Sequence, residues 1–311
     1  MPSSNLPDIV VVGAASRDRV EDDPRGWRLG GAVSYAAMAI ARLGLRVGAL
    51  LGADEEAARA RELDVLRETG ADVVIAPLDS GPVFDNIEEP AGRRQVAHAH
   101  ATPLPVAALP DAWRSAQAWL LGPVAGELPD AWAAVPADQA LVAIGWQGLL
   151  REVQAGQHVR RVAPGPSPLL RRADLVAVSG TDFGPETRID QVLGWLRPGA
   201  TLLVTSGDRG GLAAEVGPEG LRRVHHYPAL RPDRAVDPTG AGDVFLASVL
   251  AARAKPQLVG GRIAQHYDLL LGAAAASLLV EGPGLDGVPS RDAIRRRLSE
   301  AAVRRVSQHE S

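Results

Sequence analysis

Residues 237–245 read DPTGAGDVF, two carboxylates with two glycines between them, followed at once by an apolar run to Leu250. Backbone N–H groups at a helix start lack intrahelical partners, and the helix dipole adds partial positive charge there. Glycine permits close approach and dihedrals closed to other residues. Gly240, Ala241 and Gly242 therefore read as an anion cradle. Asp243, at the same helix end, is placed to take a proton from a hydroxyl beside that cradle. A hydroxyl nucleophile next to a stabilised phosphoryl group is the layout of phosphoryl transfer. The same residues admit a purely structural reading, in which Asp243 caps the helix and the glycines make the turn.

Such a turn needs a scaffold, and the flanking sequence supplies one. "DIVVVG" (8–13), "RVGALLGAD" (46–54), "ADVVIAPL" (71–78), "AWLLGPV" (118–124), "ALVAIGWQG" (140–148), "DLVAVSG" (174–180) and "TLLVTSGDRGG" (201–211) are short apolar runs that predict buried strands. Between them, "GGAVSYAAMAIARLG" (30–44) and "EEAARARELDVLRETG" (55–70) predict helices closed by glycine. The alternation predicts an α/β fold: a mostly parallel, doubly wound sheet with helices on both faces, in one domain over residues 1–311. Two polar segments interrupt it. Residues of about 14–29 and the hairpin-like 80–101, where Phe84–Glu88 and Arg94–Ala99 can pair, predict a small inserted β lid.

In open α/β sheets, ligands bind beyond the carboxyl ends of the strands. Ser16 and Asp18, Gly30–Gly31, Ser179 and Asp182, and Ser206–Arg209 follow such ends. A carboxylate at Asp18 accepts two hydroxyl hydrogen bonds at once, which suits a vicinal diol, and Tyr35 adds a phenol to the same pocket.

Composition narrows the function classes. The 311-residue chain is long enough for a sizeable core, and 46% apolar with 23% charged residues fits a globular protein. A net charge of −4 makes no electrostatic case for nucleic acid or anionic membrane. No apolar run reaches spanning length, and the start MPSSNLPD lacks a signal-peptide pattern, so the expected location is the cytoplasm. The absence of cysteine excludes disulfides and thiolate chemistry. Lysine occurs only at 255, so a lysine phosphate clamp is almost ruled out. A dinucleotide-binding oxidoreductase would need G-x-G-x-x-G after the first strand, and VVGAASRD does not supply it.

Taken in order, these motifs resemble the ribokinase-like (PfkB) family of carbohydrate and nucleoside kinases. DPTGAGDVF resembles that family's C-terminal signature D-T-x-G-A-G-D-x-F, and GGAVSYAAMAIARLG its N-terminal one. VVVGAASRD resembles the opening strand that ends in a substrate-binding Asp, and VTSGDRGG the T-x-G-x-x-G segment that lines the nucleotide. The resemblance, from about residue 8 to about 300, implies an ATP-dependent kinase acting on a hydroxyl of a small polyol or sugar. It implies Asp243 as base and Gly240, Ala241 and Gly242 as anion hole. Thr205, Gly207 and Gly210 would contact the nucleotide, and Asp18 and Gly31, with Ser16 and Tyr35 near them, the substrate. Asp237 and Thr239 would lie near a structural monovalent cation such as K⁺, completed by the 277–284 loop. The family's N-x-x-E, which helps place Mg²⁺ through water, is here SGTD, leaving Asp182 as the matching acid. Ala32 and Tyr35 stand where ribokinase has Lys and Asn, which argues against ribose and for a neutral cyclitol or other sugar. GPVAGE (122–127) and GWQGLLR (145–151) resemble the inositol-kinase-like branch. A nucleoside kinase of the same fold and a non-catalytic sugar or nucleotide sensor remain the alternatives, and the retained Asp243 favours an enzyme. A flap with exposed strand edges also suggests a homodimer formed through the lid.

Other conspicuous residues are expected to be structural. His98 and His100 share one face of a lid strand, and His225–His226 alternate across another. Arg93–Arg94 and the Arg295–Arg305 cluster are expected to face water. Trp113, Trp119, Trp132, Trp146 and Trp195 are expected in or around the core.

Overall fold

The first strand shows how the sheet is built. In β1 (Ile9–Ala14) every residue is buried, with Ile9 and Val11 in one core and Val10 and Val12 in the other. A strand covered on both faces has no polar side, which is why its sequence is continuously apolar. This computed structural model describes residues 6–89, 92–217, 222–259 and 266–309, without the side chains of 88, 89, 92, 93, 259 and 303–309.

After β1 come β2 (Ser16–Arg19), β3 (Trp27–Gly30), α1 (Ala32–Arg42), β4 (Val47–Ala53), α2 (Arg61–Glu68), β5 (Asp72–Pro77), β6 (Val83–Glu89) and β7 (Gly92–Ala99). β8 (Ala118–Leu121), β9 (Leu141–Gly145), β10 (Arg151–Glu152), β11 (Gln157–His158), β12 (Arg160–Arg161), α3 (Pro168–Arg172), β13 (Leu175–Ser179), α4 (Ile189–Leu193) and β14 (Thr201–Thr205) follow. β15 (Gly211–Val216), β16 (Arg222–Tyr227), α5 (Ala241–Ala254), α6 (Tyr267–Leu279) and α7 (Arg291–His309) complete the order.

The large sheet runs β16-β15-β14-β13-β9-β8-β1-β4-β5. It is parallel from β14 to β5, with β15 and β16 antiparallel at one edge. One face carries α1, α2, α5 and α6; the other carries α3, α4 and short turns holding Trp113, Trp132 and Trp146. The four tryptophans at 113, 119, 132 and 146 are buried in that second core. The expected helix over 55–70 is instead a single 3₁₀ turn and α2, because Ala60 is extended.

A second sheet runs β11-β7-β6-β2-β3. Both polar interruptions therefore become strands of one small sheet. The expected hairpin forms with Phe84 opposite Ala97, and β6 also pairs in parallel with β2.

Candidate active site

The 237–243 turn is fixed by its own side chains. Asp237 Oδ1 accepts the Thr239 N–H at 2.9 Å, and Oδ2 accepts the Gly284 N–H at 3.1 Å. The Val280 carbonyl accepts from the N–H groups of Val236 and Asp237. The 237–239 turn and the 280–284 loop are thus already joined at the place expected for a monovalent cation. Gly240 caps α5 in the left-handed region, at φ 80°, and a Cβ there would overlap the Tyr35 ring. Glycine is required on both counts. The Ala241 N–H donates to the Pro238 carbonyl at 3.2 Å, so this member of the expected cradle is engaged in the turn. Gly242 is exposed, with nothing within 4 Å of where its Cβ would be.

Two cavities meet at this helix start. The first, of about 330 Å³, is lined by Ser16, Asp18, Gly31, Tyr35, Thr239 and Asp243, so residues spread over most of the chain converge on it. Gly31, at φ 93°, turns the chain into α1. Ser16 Oγ donates to Asp18 Oδ1 at 3.0 Å, and the Asp18 carboxylate packs so closely on Gly30 that no Cβ would fit. Phe84 and Gln95 cover this cavity from the small sheet. The second, of about 310 Å³, is lined by Thr205, Gly207, Gly210, Leu230, Tyr227 and Phe245, and by the small residues of α6. The Tyr227 and Phe245 rings lie 5.3 Å apart and nearly parallel, at 14°. Burial pushes the Tyr227 phenol well above its ordinary range. Thr205, Gly207, Pro238, Ala241 and Gly242 belong to both walls.

Asp182 is placed otherwise. It is buried and lines neither cavity. Its two carboxylate oxygens accept from Gln147 Nε2 at 3.1 and 3.4 Å, and it is Gln147 that reaches the first cavity. Among the described residues no group of three or more His, Asp or Glu is arranged to hold a metal ion.

Sequence reading missed several lining residues. Gln147 and Arg151 lie in GWQGLLR, noted above only as a likeness, and Val124 lies in GPVAGE. Glu127 explains the latter segment: its buried carboxylate accepts the N–H groups of Ala14, Val124 and Ala125, tying the loop to the end of β1. Three backbone donors to one carboxylate make a rigid joint. The small-residue face of α6 carries no motif, so nothing local announced it.

The residues expected to be structural mostly are. His98 lies between Asp85 and Arg19 on the side of the small sheet facing away from the cavity. Trp195 packs at the edge of the second core. The side chains of Arg93, Arg304 and Arg305 lie outside the described residues. One expectation fails: Arg297 is not in water but buried, with only 8% exposure, and bonded to Ser277, Glu281 and the Arg231 carbonyl. A charge run on an amphipathic helix gives no sign of which member turns inward. No helix among the described residues is long and apolar enough to cross a membrane.

Residues 168–291 match the pfkB family carbohydrate kinase model, a stretch that contains Asp182, Thr205 and the whole of DPTGAGDVF. A fructokinase of Klebsiella pneumoniae is 34% identical over 145 residues, 45% of this chain and 43% of that protein. The chain thus spans less than half the length of that curated relative. Among solved structures, a pyrophosphate-dependent kinase in the ribokinase family, complexed with a pyrophosphate analog and myo-inositol, superposes with a TM-score of 0.68 at 18% identity, covering 92% of this chain and 99% of its own. Arabidopsis thaliana ribokinase, complexed with ribose and ATP, gives a TM-score of 0.64 at 19% identity, covering 94% and 99%. The chain thus has a ribokinase-like fold, and its residues 168–291 are similar to pfkB family carbohydrate kinases.

Proposed function

We propose that the protein is an ATP-dependent kinase that phosphorylates a hydroxyl of a small neutral polyol or sugar, a cyclitol or a sugar ring being favoured. The observation that carries this reading is the meeting of two differently lined cavities at the start of α5. The second, apolar and aromatic, suits the base of a nucleotide. The first, with Asp18, Ser16 and Gln147, suits vicinal hydroxyls. Their shared wall is where a phosphate and a hydroxyl would face each other.

In the proposed reaction the acceptor oxygen forms a bond to the γ-phosphorus while the bond from that phosphorus to the bridging oxygen breaks. The electron pair leaves on ADP, and the acceptor proton passes to the Asp243 carboxylate. Backbone donors around Gly240–Gly242 stabilise charge on the transferring group, and Ala241, engaged with Pro238, contributes least. Mg²⁺, which shields phosphate charge, would arrive on the triphosphate, since the buried Asp182 is turned to Gln147. The 237–239 and 280–284 carbonyls and Asp237 are the oxygens a K⁺ ion would use. The small sheet acts as a lid over the acceptor.

A phosphorylation screen over sugars, cyclitols and nucleosides, with ATP and pyrophosphate as alternative donors, tests this. The expected result is turnover of a neutral polyol or sugar with ATP. Turnover with pyrophosphate alone, or preference for a sugar phosphate, would overturn it.

A further inference from the structure

We infer that Ser277, held by Arg297, is the residue that reads the donor base, giving its hydroxyl proton to an unprotonated ring nitrogen of a purine. This rests on the donor-cleft reading above and names the contact it lacks.

The cleft side of α6 presents Ala273, Ala276, Ser277 and Val280. These positions, spaced i, i+3, i+4 and i+7, share one helix face. Three are apolar, so Ser277 is the one side-chain hydroxyl that α6 brings to the cleft. Its other side meets α7, where Arg297 Nη1 donates to Ser277 Oγ at 2.7 Å. A guanidinium only donates, so Ser277 is the acceptor in this pair. The hydroxyl keeps one proton to give. Within the described residues the bond from Arg297 is the whole of its protein hydrogen bonding, and no helix carbonyl takes that proton. Ser277 is 5% exposed, lies against the cleft and has its acceptor side occupied, so the cleft is where the proton is left to go.

Arg297 is itself immobilised. Nη2 donates to Glu281 Oε1 at 2.7 Å and Nη1 to the Arg231 carbonyl at 3.2 Å. The Ser277 oxygen is therefore fixed relative to Tyr227 and Phe245, whose ring pair lines the same cleft. Purines carry unprotonated ring nitrogens on an otherwise flat, apolar surface. One fixed donor in an apolar cleft of about 310 Å³ matches that pattern.

The test is calorimetric and needs no acceptor. ATP, 1-deaza-, 3-deaza- and 7-deaza-ATP, and inorganic tripolyphosphate are titrated into the wild type and Ser277→Ala. The expected result is a Kd for ATP about 3- to 10-fold higher in Ser277→Ala, the range of one neutral hydrogen bond. One deaza analogue should lose a similar factor on the wild type and nothing further on the variant, while tripolyphosphate binds both equally. An unchanged ATP affinity in Ser277→Ala, or an equal loss for tripolyphosphate, would overturn the inference. So would deaza analogues that all bind the wild type as ATP does, a result that needs no variant to fold. A wild type that binds tripolyphosphate but no purine nucleotide would overturn the nucleotide-donor reading and this inference together.

Discussion

At the scale of single residues, the two glycines of the motif differ in what they do. Gly240 is required by conformation and space, since φ is 80° and the Tyr35 ring occupies the Cβ position. Gly240→Ala should destabilise the fold by about 1–2 kcal/mol from the left-handed backbone alone, with the ring clash added. Gly242 sits in the first turn of α5 in open space, inside the wall shared by both cavities. Gly242→Ala should keep or slightly raise the melting temperature and still lower turnover, because only close approach is lost. Thermal melts beside single-turnover rates separate the two; equal behaviour would refute the distinction. Asp243→Asn should fold normally and lose about 10²–10⁴-fold in turnover with the acceptor found in the screen. Asp18→Ala should raise the acceptor KM and leave the affinity for ATP unchanged, read by the same assay and by calorimetry.

At the scale of elements, the small sheet supplies one wall of the first cavity. Phe84 and Gln95 come from its hairpin and Asp18 from β2, so the expected lid also brings a carboxylate to that cavity. Amide exchange across 83–89 and 92–99 should slow when the acceptor binds; equal exchange with and without it would reject closure. These elements were legible because each leaves a periodic trace. Parallel strands covered on both faces leave continuous apolar runs, and the small sheet showed as polar segments interrupting them. The turn and helix start in DPTGAGDVF were legible because glycine punctuation before an apolar run is a local signal. Pairings across distance were not. Gln147 meets Asp182 across 35 positions, and Arg297 meets Ser277 between two helices. Nothing near either residue signals its partner. The 3₁₀ turns that cover the second core were also missed, since they are too short to show a period.

At the scale of the whole molecule, the two cores offer a built-in test of unity. Trp113, Trp119, Trp132 and Trp146 all lie in one core, while α1, α5 and α6 cover the opposite face of the sheet. Trp195 packs against that core as well and Trp27 against the other, so tryptophan fluorescence follows mostly one side and helical circular dichroism mostly the other. If the chain is one cooperative domain, both signals should fall at the same midpoint; separate midpoints would divide it into two units.

The wall common to the two cavities has a stereochemical consequence. Thr205, Gly207, Pro238, Ala241 and Gly242 form it, and a donor and an acceptor bound on either side would face each other across it. A phosphoryl group crossing it would leave one oxygen as it meets another from the opposite side. A single crossing of that kind turns the three remaining oxygens inside out, so a chiral γ-phosphorus entering with one handedness emerges with the other.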